Sequence, residues 1–291
     1  MLDPTTSPYL VPFDGSFRVA SAPTAAPGKK HRKAHGDEKL AELVEKIGQL
    51  QAKLYASDDF ALLLIFQAMD AAGKDGTVRA VTSGVNPAGF QIYAFKQPSA
   101  EELDHDFLWR CVRALPERGR IGIFNRSYYE EVIVVRVHPE LLDRQKLPPT
   151  IDRAAIWQER FASLRHHERH LSRNGTVVLK FWLNVSPEEQ RRRFLARIDD
   201  PEKSWKFSAG DVAESRCWEA YMEAYEEALA ATSRPWAPWY AIPADDKGYA
   251  RLCVAEIVAD TLGRLPLRFP EPSEQERARM LELRRELEAE G

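Results

Sequence analysis

The chain has 291 residues, 44% hydrophobic and 29% charged, enough for one large α/β domain or two small ones around a sizeable core. A formal net charge of −3 argues against a globally basic nucleic-acid coat. A polyanion would have to be met by a local patch, such as Lys29-Lys30-His31-Arg32-Lys33 or Arg191-Arg192-Arg193. No apolar run is long enough to span a bilayer, and the first residues lack the basic and apolar regions of a secretory signal. Cys111, Cys217 and Cys253 are far apart and carry no metal-type spacing, so they read as reduced thiols in a cytoplasmic protein.

Residues 1–36 hold five prolines and no sustained period, and are expected to form an irregular arm. Asp37 is placed to cap a helix running to about Leu54, with Leu40, Leu43, Ile47 and Leu50 at helical spacing. The apolar run Ala61–Gln67 is the first strand, buried on both faces. Further strands are expected at 89–95, 121–124, 176–183 and 239–243. Helical patterns fill the gaps, at about 75–84, 99–113, 127–135, 150–172, 186–197, 211–231 and 247–262. This alternation predicts a three-layer α/β/α fold around a parallel sheet. One kinase-like domain over 37–270 is expected, with 186–231 as a helical lid. The segment 271–291 reads as a charged helix whose Met280, Leu281, Leu283 and Leu287 could serve oligomer contacts.

The most informative stretch is the turn after the first strand, Ala68-Met69-Asp70-Ala71-Ala72-Gly73-Lys74-Asp75-Gly76-Thr77. Small residues let backbone N–H groups converge on an anion, the following helix offers its positive end, and Lys74 adds a point charge. The glycine-rich phosphate-loop pattern is matched imperfectly: Ala68 stands for its first glycine and Asp75 for its metal-binding hydroxyl. A carboxylate at Asp70 would repel bare phosphate, so it either holds Mg²⁺, orients the acceptor oxygen, or bonds the loop. Asn125 and Arg126 follow a second strand. In a parallel sheet they belong on the same rim as the loop, where Arg126 would meet phosphate or form a surface salt bridge. The Glu-free run Gln190–Ile198 puts Arg193 and Arg197 on one helix face, and Lys203 and Lys206 follow a turn at Asp200-Pro201. That pattern suits a cationic clamp over a polyanion, although charge runs commonly line solvated faces. His166, His167 and His170 read as a polar helix face rather than a metal site, and Trp157, Phe161, Trp182 and Trp205 as core residues.

The Ala68–Thr77 loop, Phe124-Asn125-Arg126-Ser127-Tyr128-Tyr129 and the Arg-rich Asp-Pro-x-Lys-x-Trp-Lys segment together resemble the polyphosphate kinase 2 family over about residues 55–265. The resemblance implies a P-loop kinase fold and reversible, Mg²⁺-dependent phosphate transfer between inorganic polyphosphate and nucleotides, with Mn²⁺ as a substitute metal. It also implies a homo-oligomer, such as a tetramer. It places catalytic roles on Asp70, Lys74 and Arg126, with Asp70 the metal ligand. It places phosphate or nucleotide binding on Ala71, Ala72, Gly73, Lys74, Asp75, Gly76, Thr77, Asn125, Glu130, Arg136, Arg193, Arg197, Lys203 and Lys206. Many members carry Asp-Arg-Ser-Trp-Tyr-Asn where this chain has Asn125-Arg126-Ser127-Tyr128-Tyr129-Glu130. The variant is similar to the subclass that phosphorylates both AMP and ADP, which makes Glu130 the candidate determinant of acceptor range. Two rival readings are an ATP-dependent nucleotide or nucleoside kinase on the same fold, and a non-catalytic polyanion-binding protein. Nucleic acid and membrane are not expected partners.

Overall fold

The computed structural model describes residues 2–28, 33–202 and 204–289, and only the backbone of Lys33, Ala34, His35 and Lys206. Among the described residues five strands form one sheet: β1 Ala61–Gln67, β2 Phe90–Ala94, β3 Ile121–Asn125, β4 Thr176–Asn184 and β5 Trp239–Pro243. They are all parallel, in the order β2-β3-β1-β4-β5. All five fall where the sequence pattern placed them. Every residue of β1 is buried, as a central strand covered on both faces requires.

The helices are α1 Lys33–Ser57, α2 Lys74–Thr82, α3 Ala100–Leu103, α4 Trp109–Val112, α5 Val134–Val137, α6 Ile156–Arg173, α7 Pro187–Asp199, α8 Ala209–Ser215, α9 Trp218–Thr232, α10 Lys247–Gly263 and α11 Glu274–Ala289. Helices α1, α2 and α10 pack together, and α5, α6 and α9 form a second group. The result is a three-layer α/β/α fold. No described helix is long and apolar enough to cross a membrane.

Several expectations are corrected. Helix α1 starts at Lys33, so Asp37 lies inside it instead of capping it. The stretch 99–113 is two separate turns, because Asp106 accepts the Leu108 N–H at 2.9 Å and interrupts the helix. At 127–135 the Ser127 hydroxyl takes the Tyr129 N–H at 3.1 Å, giving a 3₁₀ turn over Tyr128–Val132. The 211–231 pattern breaks at Arg216–Cys217 into α8 and α9. Trp205 is no core residue, being 76% exposed with its indole N–H on the Glu202 carbonyl.

The described residues of the N-terminal arm before α1 form no strand or α-helix, yet they are packed. Tyr9, Val11 and Phe17 join the main core. The Val11 N–H donates to Trp239 O at 2.9 Å, and the Ala241 N–H donates to Tyr9 O at 2.8 Å. The arm thereby covers the otherwise open edge of β5. Residues 29–32 of the basic run lie outside the described residues. Helix α11 buries no side chain and leaves Met280, Leu281, Leu283 and Leu287 exposed.

Candidate active site

Strand β1 ends at Gln67, and residues 68–73 turn into α2, whose N-cap is Gly73 at φ 105°. That left-handed conformation favours glycine. Ala71 (φ 62°) and Arg126 (φ 63°) adopt it as well, so three left-handed residues gather where β1 and β3 end. Non-glycine residues held this way carry strain, which tends to accumulate at functional sites.

A cavity of about 450 Å³ opens above this loop. Residues Asp70–Gly76 form its floor, and Asn125 and Arg126 one wall. Arg192, Arg193 and Arg197 of α7 line it from above, and Lys247 and Arg251 of α10 from the side. With Lys74 and Arg79 the lining holds eight Lys or Arg residues against two acids, Asp70 and Asp75. A larger cavity of about 820 Å³ lies between residues 98–110 and 145–163, where six acids outnumber three bases. Size favours the second cavity, but its charge has the wrong sign for phosphate, so the first is the candidate.

Lys74 Nζ donates to the carbonyls of Ala68 at 2.8 Å and Met69 at 3.4 Å. Enclosure by the loop pushes its ammonium below the ordinary lysine range, against the pull of Asp70. Arg126 Nη2 donates to Asp70 Oδ1 at 2.8 Å, and Nη1 to Glu130 Oε2 at 3.3 Å. Glu130, and after it Asp70, hold the guanidinium more firmly charged. Asn125 Nδ2 donates to Asp75 Oδ1 at 2.6 Å.

The turn that follows Arg126 is fixed from beneath. The hydroxyls of Tyr128 and Tyr129 donate to Glu168 Oε1 at 3.2 and 2.8 Å. Lys180 Nζ donates to Glu168 Oε2 at 2.7 Å, to Tyr129 Oη at 2.8 Å and to the Thr232 carbonyl at 3.0 Å. Both charged groups are fully buried. Burial drives Lys180 down to about 8 and raises Glu168.

The expected residues do not all converge. Asp70 to Gly76, Asn125, Arg126, Arg193 and Arg197 share the cavity. Thr77 is buried, with its hydroxyl on the Gly73 carbonyl at 3.1 Å. Glu130 meets Arg126 but does not line the cavity. Arg136 is turned elsewhere: it pairs with Glu227 at 2.8 Å and covers the Trp157 ring at 5.1 Å. Lys203 and the side chain of Lys206 lie outside what is described.

Arg193 is buried, and its Nη1 donates to the carbonyls of Ala71 and Ala72. Arg197 faces Asp211 of α8 at 3.5 Å. Burial raises the Asp211 carboxyl, and the charge of Asp70 raises it further, so α8 lies within electrostatic reach of the loop.

Arg79, Lys247 and Arg251 were missed. The last two begin α10, just past the carboxyl end of β5, and the strand-end rule applied to that strand would have found them. Arg251 lies close against the loop: a methyl group at Gly76 would sit 3.1 Å from its guanidinium.

The donors available for a divalent ion are hard oxygens, the carboxylates of Asp70 and Asp75 and the amide oxygen of Asn125. No group of three or more His, Cys, Asp or Glu side chains suited to a metal occurs among the described residues. Mg²⁺ at phosphate sites is held by one or two carboxylates together with substrate oxygens and water, and the set present fits that demand.

A turn of small residues on the carboxyl edge of a parallel sheet, walled by arginine and lysine from α2, α7 and α10, makes a cationic site on a kinase-like α/β/α fold. Residues 30–266 match the family model for polyphosphate kinase 2, and the chain belongs to that family. It is 54% identical over 256 residues to an ADP-polyphosphate phosphotransferase of Rhodopseudomonas palustris, covering 88% of this chain and 89% of that one. It is 42% identical over 265 residues to an AMP/ADP-polyphosphate phosphotransferase of Meiothermus ruber, covering 91% and 95%. The crystal structure of polyphosphate kinase 2 from Arthrobacter aurescens superimposes with a TM-score of 0.83 at 40% identity, over 92% of this chain and 93% of that one.

Proposed function

We propose that this chain transfers the terminal phosphoryl group of inorganic polyphosphate to AMP and ADP, reversibly and with Mg²⁺. The observation that carries the reading is the lining of the cavity. Apart from charged and amide side chains it offers only glycine and alanine, with no aromatic or large apolar residue. Such a wall suits a chain of linked phosphates and offers a nucleobase no aromatic ring or apolar pocket. That favours polyphosphate over ATP as donor. The relatives named as polyphosphate phosphotransferases support it.

In the forward direction an oxygen of the acceptor's terminal phosphate bonds to the terminal phosphorus of polyphosphate. The bridging P–O bond breaks, and its electron pair leaves on a polyphosphate shortened by one unit. Loop N–H groups and Lys74 hold the transferring phosphate, and Arg126 neutralises its equatorial charge. Arg197, Lys247, Arg251 and Arg79 hold the chain behind it. Mg²⁺ on Asp70, with Asp75 and Asn125 beside it, would neutralise phosphate oxygens. Asp70 also fixes Arg126, and Glu130 holds that arginine from the acceptor side.

Residues 37–270 act as one kinase domain, and the part of 186–231 beyond Arg193 closes as a lid that excludes water. The exposed apolar residues of α11 favour assembly into a homo-oligomer.

The test offers AMP and ADP separately, with Mg²⁺ and either polyphosphate or ATP as donor. Faster transfer from polyphosphate supports the reading. Turnover only with ATP would make the chain an ordinary nucleotide kinase, and salt-sensitive binding without turnover a polyanion-binding protein.

A further inference from the structure

Resting on the phosphotransferase reading above, we propose that Arg193, aided by Gln190, is a positioning residue that sets the phosphate loop, and not a cation that grips polyphosphate.

All five guanidinium N–H groups of Arg193 are directed at partners within the chain. Nη1 donates to the Ala71 carbonyl at 3.0 Å and to the Ala72 carbonyl at 2.8 Å. Nη2 donates to the carbonyls of Ala244 at 2.6 Å and Asp245 at 3.0 Å, and Nε to Glu189 Oε1 at 2.7 Å. One turn earlier, Gln190 Nε2 donates to the Asp70 carbonyl at 3.0 Å. Both side chains are at least 95% buried. No N–H of this arginine is left over for a phosphate oxygen.

The pattern of acceptors explains the arrangement. Asp70, Ala71 and Ala72 are consecutive, and each carbonyl is held against α7. A carbonyl turned into the cavity would repel phosphate. Holding these three back against α7 keeps their oxygens off the anion and leaves the loop's N–H groups to face it. The left-handed Ala71 lies within this tethered stretch, and the bonds from α7 hold it in that conformation.

The second fork of the guanidinium ties the loop to the β5–α10 junction, which carries Lys247. One side chain thus registers two walls of the cavity. Lysine cannot replace it, because one ammonium has three donors at a single point and cannot span both walls. Closure of the segment that follows must then hinge beyond Arg193.

The test compares Arg193→Lys, Arg193→Ala, Gln190→Met and Lys74→Met with the wild type, measuring kcat, KM for polyphosphate, KM for ADP and Tm. Positioning predicts that Lys fails to rescue. Arg193→Lys and Arg193→Ala both lose about 10²-fold in kcat, with KM for polyphosphate changed less than about 3-fold. Gln190→Met, which removes one neutral donor, loses about 10-fold in kcat with the same split and an unchanged Tm. Arg193→Lys within about 3-fold of wild type, or a loss confined to KM for polyphosphate, overturns the proposal. If the Arg193 variants do not fold, Gln190→Met decides, and wild-type kinetics there overturns it. Near-normal turnover of Lys74→Met would instead remove the phosphotransferase reading of the cavity, whatever the Arg193 variants do.

Discussion

Arg126 Nη2 lies 2.8 Å from Asp70 Oδ1, joining the ends of two adjacent strands across the mouth of the loop between β1 and α2. The carboxylate that would hold a metal thus also aims the arginine that would neutralise the transferring group. Asp70→Asn keeps the shape but removes the charge, and Lys74→Met removes the loop cation. Each is expected to lower kcat by about 10²-fold or more, the scale of losing a transition-state charge contact. Steady-state kinetics with polyphosphate and ADP check this, and a change below about 3-fold in either variant would refute the role assigned to it.

Glu130 holds the other side of the same guanidinium at 3.3 Å. Replacing it with Asn frees one side of Arg126 and removes a negative charge beside it. The ratio of kcat/KM for AMP to that for ADP should shift by about 10-fold, equivalent to about 1.4 kcal/mol. An unchanged ratio would mean that Glu130 does not set acceptor range.

The pair between Lys180 and Glu168 supports the turn that carries Glu130. Lys180→Met leaves a buried carboxylate without its cation and should cost about 3–5 kcal/mol in chemical denaturation. Adding Glu168→Gln removes the orphaned charge and should recover at least about 1 kcal/mol. A double variant no more stable than Lys180→Met would argue against the pair as the source of the loss.

His167 packs edge-on to the Tyr128 ring and has no hydrogen-bond partner at Nε2. Burial, with a smaller push from His170, lowers its pKa from 6.5 to about 4. The unfolded chain therefore binds a proton between pH 6.5 and 4 that the folded chain refuses, so stability falls as pH drops through that window. The loss attributable to this residue is about 3 kcal/mol at most. His167→Gln should flatten the decline measured by denaturation at pH 7, 5.5 and 4, and an identical slope in the variant would contradict the assignment.

Much of the fold was legible because buried parallel strands write themselves as apolar runs. Leu62–Phe66 and Val177–Leu183 need no tertiary information to be recognised. The helix interruptions were not legible, since Asp106 and Ser127 act through single side-chain bonds that compete with a continuing helix. Lys74 and Arg126 could be placed together because parallel strands share a rim. Arg193 illustrates the limit: its spacing from Arg197 marks a helix face correctly, but only the fold shows that five intramolecular acceptors surround it. Lys247 and Arg251 come from a helix more than 170 residues beyond Lys74 in the chain, and only the closure of the sheet brings them to the loop.

The most direct measurement follows radiolabelled polyphosphate mixed with ADP, Mg²⁺ and either the wild-type chain or Lys74→Met. Label should appear in the γ-phosphate of ATP with the wild type and be reduced by about 10²-fold or more with the variant. Equal labelling by both proteins, or none by the wild type while ATP phosphorylates AMP, would contradict phosphoryl transfer from polyphosphate at this loop.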